Sequence, residues 1–213
     1  MPDPEVSRRS RQNHRGMTER MVTFTPERML REWKLRKGLM CESLDTGTAV
    51  VRHDMAAPEE RMESEIRSWY SRLLVSAPVR QVPVRNLTGA VAEISRPADN
   101  MLRLRLPSEG YRLVEVKLRD WTVAVSVFHS PGSLFERRQG DLLLRATPGH
   151  PGVVDRGDGI IEIYGLDPLP SAGQTAALTA AQPDLAARLE RLMMTAWPAD
   201  GNYTLDSVLL DTI

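Results

Sequence analysis

The sequence predicts an α+β fold: a small antiparallel β-sandwich or rolled sheet with about three packed helices and a flexible N-terminal arm. Three observations carry this. Apolar residues recur at helical spacing near residues 26–37, 58–76 and 183–197. Between Val82 and Tyr164 that period vanishes, and short runs of period 2 alternate with clusters of Pro, Gly, Asp and Ser. The clearest block, Leu106 to Trp121 (LPSEGYRLVEVKLRDW) followed by TVAVSVF, joins a proline entry, an alternating strand, an Asp-Trp corner and a second strand. A chain of 213 residues can bury one good core. One α+β domain is therefore expected over residues 23–213, with a helical part (23–80), a β part (81–170) and a C-terminal helix and tail (171–213).

Residues 1–22 read as a flexible basic arm, because Arg8, Arg9, Arg11, Arg15 and Arg20 outnumber Asp3, Glu5 and Glu19 and little apolar surface offsets the entropy of ordering. It is either a solvated tail or an arm that orders on a neighbouring subunit or an anionic surface. Thr25-Pro26-Glu27 starts a helix: Thr caps the free amides, Pro is preset for the first turn and Glu suits the dipole. Met29, Leu30 and Trp33 share its face, and Lys37-Gly38 ends it. A longer helix runs from about Pro58 to Ser76 with Met62, Ile66, Trp69, Tyr70, Leu73 and Leu74 on one stripe, and Ala77-Pro78 stops it. Strands are expected at Ala90–Ile94, Leu102–Leu106, Arg112–Leu118, Trp121–Phe128, Leu142–Arg145 and Ile160–Tyr164. In the third of these, Val114, Val116 and Leu118 point one way; in the fourth, Trp121, Val123, Val125 and Val127 share a face, so the two make a tight pair joined by Arg119-Asp120. A third helix begins at Pro183-Asp184, places Leu185, Leu189, Leu192, Met193 and Ala196 on one face, and closes at Trp197-Pro198. Tyr203 to Ile213 fits either a strand or a helical turn and has an apolar ending suited to docking.

Twenty-eight Lys plus Arg balance twenty-eight Asp plus Glu, so long-range steering toward nucleic acid is not expected. Cys41 stands alone, which excludes an internal disulfide or a CxxC site, and none of the four histidines (His14, His53, His129, His150) has metal-ligand spacing to another. The chain holds no GxSxG, P-loop or GxGxxG, no apolar run of about 18 residues, and no apolar stretch in its first twenty residues to act as a secretory signal. A membrane partner and a cofactor are accordingly not expected, and residence in the cytoplasm is. Ser130 beside His129, and Arg156-Gly157-Asp158 within a polar run, both read as turns. The one enzymatic pattern is Glu115-Val116-Lys117 with Asp99 upstream, since magnesium-dependent nucleases of the PD-(D/E)xK type use two carboxylates for the metal and a Lys near the attacking water. Any amphipathic strand with a polar outer face also produces it. Arg137-Arg138 could touch phosphate, though no nucleic-acid motif accompanies them.

The span from about Arg61 to Tyr164 resembles the head-to-tail adaptor, or ring, proteins of crAss-like and related short-tailed phages of gut Bacteroidales. The resemblance is carried by Ala77-Pro78, Leu106-Pro107, Arg112-Leu113, Asp120-Trp121, Pro151 and Ile161-Glu162-Ile163-Tyr164, with the register from Leu106 to Trp121 kept without a gap. Gly110 stands where the family has an aromatic residue, and Tyr111 follows one place late. What the resemblance implies is a non-catalytic virion protein made in the host cytoplasm. Its partners would be copies of itself in a ring, the portal and tail proteins, and DNA passing through the ring. Trp33, Arg112, Asp120, Trp121, Arg137 and Arg138 are then the candidates for subunit contact, while ordinary core is the alternative for Trp33, Trp69 and Trp121. The competing functions are the nuclease of Asp99, Glu115 and Lys117 and an adaptor in a non-viral assembly.

Overall fold

The computed structural model describes residues 21–39, 56–98, 100–166 and 187–213. Most of the basic arm, Cys41, Asp99, the 167–186 stretch and the expected helix start at Pro183-Asp184 lie outside these residues. The fold class is the α+β class expected from sequence. Three α-helices are described, α1 (Pro26–Arg36), α2 (Ala56–Ser76) and α3 (Leu134–Arg137). The strands are β1 (Met21–Phe24), β2 (Val84–Asn86), β3 (Ile94–Ala98), β4 (Met101–Arg105) and β5 (Gly110–Leu118), then β6 (Phe128–His129), β7 (Gly152–Gly157), β8 (Ile160–Tyr164), β9 (Leu189–Ala196) and β10 (Tyr203–Asp206). They fall into two compact units, the first built from residues before Leu74, from Arg80–Val82 and from Pro198 onward, the second from Leu74–Val79 and Pro83–Trp197.

In the first unit, α1 starts as its sequence dictates: the Thr25 hydroxyl accepts the Arg28 N–H at 3.3 Å, and Gly38 leaves the helix at φ +65°. α1 buries Met29 and Trp33, and α2 buries Ile66, Trp69, Tyr70 and Leu73 at helical spacing. Trp33 and Trp69 meet edge to face with ring centroids 5.6 Å apart. The Tyr70 hydroxyl donates to the Thr204 carbonyl at 2.7 Å and accepts the Thr204 N–H at 3.1 Å, which holds α2 on β10. β10 pairs antiparallel with β1. Met21 and Val22, expected in the arm, are thus strand residues, because β10 offers them a ladder. Beyond β10 a 3₁₀ helix over Ser207–Thr212 is capped by Asp206, so the undecided C-terminal stretch contains both a strand and helical turns.

The second unit is a sandwich. A three-stranded antiparallel sheet, β2-β9-β5, and a five-stranded sheet, β3-β4-β8-β7-β6, enclose one core that includes Leu102, Leu104, Val116, Leu118, Trp121, Ile161, Ile163, Leu192 and Met194. All the named pairings are antiparallel except β6 with β7. The expected C-terminal helix is β9, the central strand of its sheet. Its Leu, Met and Ala content favours a helix when judged locally, but between two partner strands it buries Leu189, Leu192, Met194, Thr195 and Ala196, and no clean alternation remains.

Strand β5 lies where expected, although its face does not: a register shift between Leu113 and Glu115 adds a residue, so Leu113 and Val116 are both buried. Its main neighbour is β9. The expected strand Trp121–Phe128 is reduced to a single bridge, Val116 with Val125, closed by hydrogen bonds of 2.9 and 2.8 Å. Val123 and Val127 are exposed rather than sharing the face of Trp121. The expected strand at Ala90–Ile94 is the end of a 3₁₀ turn and extended chain leading into β3. Leu142–Arg145 is a turn. Arg156-Gly157-Asp158 leads into the β7–β8 hairpin, where Gly157, Asp158 and Gly159 all have positive φ.

Candidate functional site

The segment from Ser133 to Ala146 builds an exposed apolar tip. Ser133 caps α3 by accepting the Glu136 N–H at 3.4 Å, and a 3₁₀ turn over Arg138–Gly140 leads to Asp141. The Asp141 carboxylate accepts the Leu143 N–H at 2.8 Å, while its carbonyl accepts those of Leu144 at 3.2 Å and Arg145 at 2.9 Å, closing one tight turn. Leu142, Leu143 and Leu144 project from this turn with 77%, 93% and 56% of their surface exposed. Leu134 is exposed too, and Arg137 and Arg138 face solvent just before the turn.

The tip is fixed at its base. The Gln139 side chain accepts the Ala146 N–H at 2.9 Å and donates to the Phe135 carbonyl at 2.8 Å, and the Asn100 amide donates to the Ala146 carbonyl at 3.1 Å. Asn100 also accepts the N–H groups of Gly165 and Leu166 at 3.2 and 2.9 Å, so the tip is tied to the end of β8. Phe135 stacks on His129 at 4.2 Å and meets the edge of Tyr164 at 5.8 Å. It lies against Gly152, where any Cβ would strike its ring.

Under α3 lies a buried polar knot. Glu162 is 1% exposed and accepts from Arg103 at 2.8 Å, Arg156 at 2.5 Å and the Tyr164 hydroxyl at 3.0 Å. Arg156 also reaches Glu136, which in turn accepts the Gly132 N–H at 2.5 Å. Burial pushes the Glu162 carboxyl up, but the hydrogen bonds from Arg156, Arg103 and Tyr164 together outweigh it and leave the group below the usual carboxylate range. Burial and the bond to Glu162 push the Tyr164 phenol up to about 12. The knot joins β4, β7 and β8 to the segment that carries the tip.

The residues named from sequence are dispersed. Trp121 is buried, with its indole N–H donating to the Gly165 carbonyl at 2.8 Å, and Trp33 is buried against Trp69. Their rings pack within the chain, where large apolar surfaces gain most from exclusion of water. Arg112 is half-buried and donates to the Ala77 carbonyl at 2.6 Å. Asp120 is exposed, 3.8 Å from Arg188. Arg137 and Arg138 are the candidates that stand beside the leucine tip.

Glu115 pairs with Arg191 at 2.9 Å and Lys117 with Glu190 at 2.9 Å, both across the β5–β9 ladder, and Asp99 lies outside the described residues. Among the described residues no three His, Cys, Asp or Glu side chains gather so as to hold a metal ion, and no helix is long and apolar enough to cross a membrane. The tip itself was missed from sequence because Leu142–Arg145 suggests a strand. The available signal was the run of three leucines after Gly140-Asp141, with no β-branched residue and no alternation. No family model and no curated protein sequence matches the chain.

Proposed function

We propose that this chain is a non-enzymatic assembly subunit, a ring or adaptor protein joining portal to tail in a short-tailed phage virion. The carrying observation is the leucine tip: a turn closed by its own hydrogen bonds and clamped at its base holds Leu142, Leu143 and Leu144 in water. Exposed apolar area is unfavourable by roughly 25 cal/mol per Å² relative to burial, so a fixed apolar projection marks a surface that another molecule covers. The sandwich beneath supplies a stiff mount. The placement between portal and tail rests on the Leu106–Trp121 block and the elements that flank it.

Co-expression with portal and tail proteins of short-tailed phages, followed by electron microscopy of the purified complexes, tests the proposal. The expected result is closed rings or a complex with portal or tail. A chain that stays monomeric and joins neither contradicts it.

A further inference from the structure

We infer that the leucine tip seats in an apolar socket rimmed by Asp or Glu carboxylates on a protein other than this chain, the portal or tail neighbour of the proposed assembly. This rests on the assembly role proposed above and names the chemistry of the surface that covers the tip.

Leu134, Arg137 and Arg138 fall at i, i+3 and i+4 on the exposed face of α3, while Phe135 and Glu136 turn toward the sheet. The tip therefore presents apolar and cationic groups together, with leucines on the projecting turn and guanidiniums flanking it in sequence. Among the described residues, Arg137, Arg138 and Arg145 have no ion-pair partner. The carboxylates of the same segment are already engaged, Glu136 with Arg156 and Asp141 with the Leu143 N–H. This leaves a local surplus of positive charge on a chain of zero net charge, and a carboxylate rim around an apolar floor is its complement. All three cations from Ser133 to Ala146 are arginine and none is lysine. A planar guanidinium pairs bidentately with a carboxylate and is less strongly hydrated than an ammonium, which suits it to a protein contact from which water is excluded. The clamp points the same way. Gln139 and Asn100 fix the turn before a partner arrives, which lowers the entropy cost of docking into a shaped surface. A fluid bilayer gains nothing from fixed geometry and would draw the Asp141 carboxylate to its apolar boundary. A second copy offers no match at the cleft on its first unit: the lining there has Lys37 and Arg72 against Glu65, with Ser64 and Ser68 beside them, a polar surface of the wrong sign.

The test titrates the full chain against purified portal protein and purified tail protein of short-tailed phages in about 0.15 M salt, with binding read by biolayer interferometry. The wild type is expected to bind one of them. Leu143→Asp, which sets a charge on the apolar floor, should weaken that binding about a hundredfold, and Arg137→Glu combined with Arg138→Glu about tenfold. These positions are exposed, and retained unfolding midpoints would show that the variants fold. Added salt should weaken binding by the wild type but not by the charge-reversed variant. Arg137→Lys combined with Arg138→Lys keeps the charge and supplies amines that a water-soluble carbodiimide couples to adjacent carboxylates as amides, leaving as its urea. Peptide mass spectrometry is expected to find those amides on Asp or Glu of the portal or tail protein. Wild-type-like affinity in the charge-reversed variant, amides that join two copies of this chain, or a complex with no amide at positions 137 and 138 would each overturn the acid-rimmed socket and leave the assembly role standing. Flotation of the wild type with phosphatidylserine vesicles, abolished by Leu143→Asp, would overturn the socket by assigning the tip to lipid. A wild type that binds neither protein and stays monomeric would overturn both the socket and the assembly role.

Discussion

Glu162 concentrates the electrostatics of the second unit in one carboxylate. It is buried, yet three donors hold it as an anion, and two of them are arginines from different strands. Glu162→Gln removes the charge and leaves Arg156 with only Glu136, so a loss of about 2–3 kcal/mol is expected, read as a lowered midpoint in urea unfolding. The pH dependence follows from the direction of its shift. A carboxyl held below its ordinary range in the folded state stabilises fully above the unfolded value near 4.3, and that contribution is lost as pH falls through the folded value. The wild type should therefore lose stability on acidification below about pH 4 more steeply than Glu162→Gln. Tyr164 behaves oppositely: raised to about 12, it stabilises fully below its unfolded value near 10 and loses that contribution as pH climbs toward 12. Gly165 is a second single-residue constraint. Its φ of +102° and the Thr147 carbonyl 2.7 Å from where a Cβ would sit both exclude a side chain. Gly165→Ala is expected to lower stability by about 1–3 kcal/mol and to disturb the Trp121 indole, whose hydrogen bond ends on the Gly165 carbonyl; a shift in tryptophan emission would report it.

Among the elements, the tip and its clamp behave as one part. Gln139→Ala removes both bonds that this side chain makes at the base of the turn and leaves those of Asn100 and Glu136, so local opening of the exposed segment should outpace global unfolding. Limited trypsin digestion is expected to cut at Arg137, Arg138 or Arg145 faster in the variant, with little change in the global midpoint. Elements with a local signature were legible in the sequence. Thr25, Pro26 and Gly38 bound α1 through their own chemistry, Ala77-Pro78 ends α2, and alternation marks β4. Elements defined by their neighbours were not. β9 contains good helix formers and becomes a strand because β2 and β5 flank it, and the bulges in β5 move Leu113 onto the buried side in a way no period reveals. The Leu142–Leu144 run was visible as apolar but carried no mark of exposure, since exposure follows from the Asp141 turn and the Ala146 clamp. Trp33, Trp69 and Trp121, for which the sequence left core packing and neighbour contact both open, are buried within the chain.

For the molecule as a whole, the balance of charge conceals a local asymmetry, arginines around the tip and glutamates along the first half of α2. An assembly in which the arginines beside the tip meet an acidic partner surface should weaken with salt, because exposed pairs are screened once the Debye length falls to about 3 Å near 1 M salt. Light scattering through a salt titration checks this: oligomer mass should fall at high ionic strength, and a mass that holds or grows would mean that charge contributes nothing. The sandwich, the polar knot and the clamp hold the apolar projection in a fixed place. The most direct test replaces Leu142, Leu143 and Leu144 together with serine and measures, by native mass spectrometry, whether the folded variant enters complexes with itself, portal or tail. The account predicts that the wild type enters them and the triple-serine chain does not; a triple-serine chain that assembles like the wild type would contradict it.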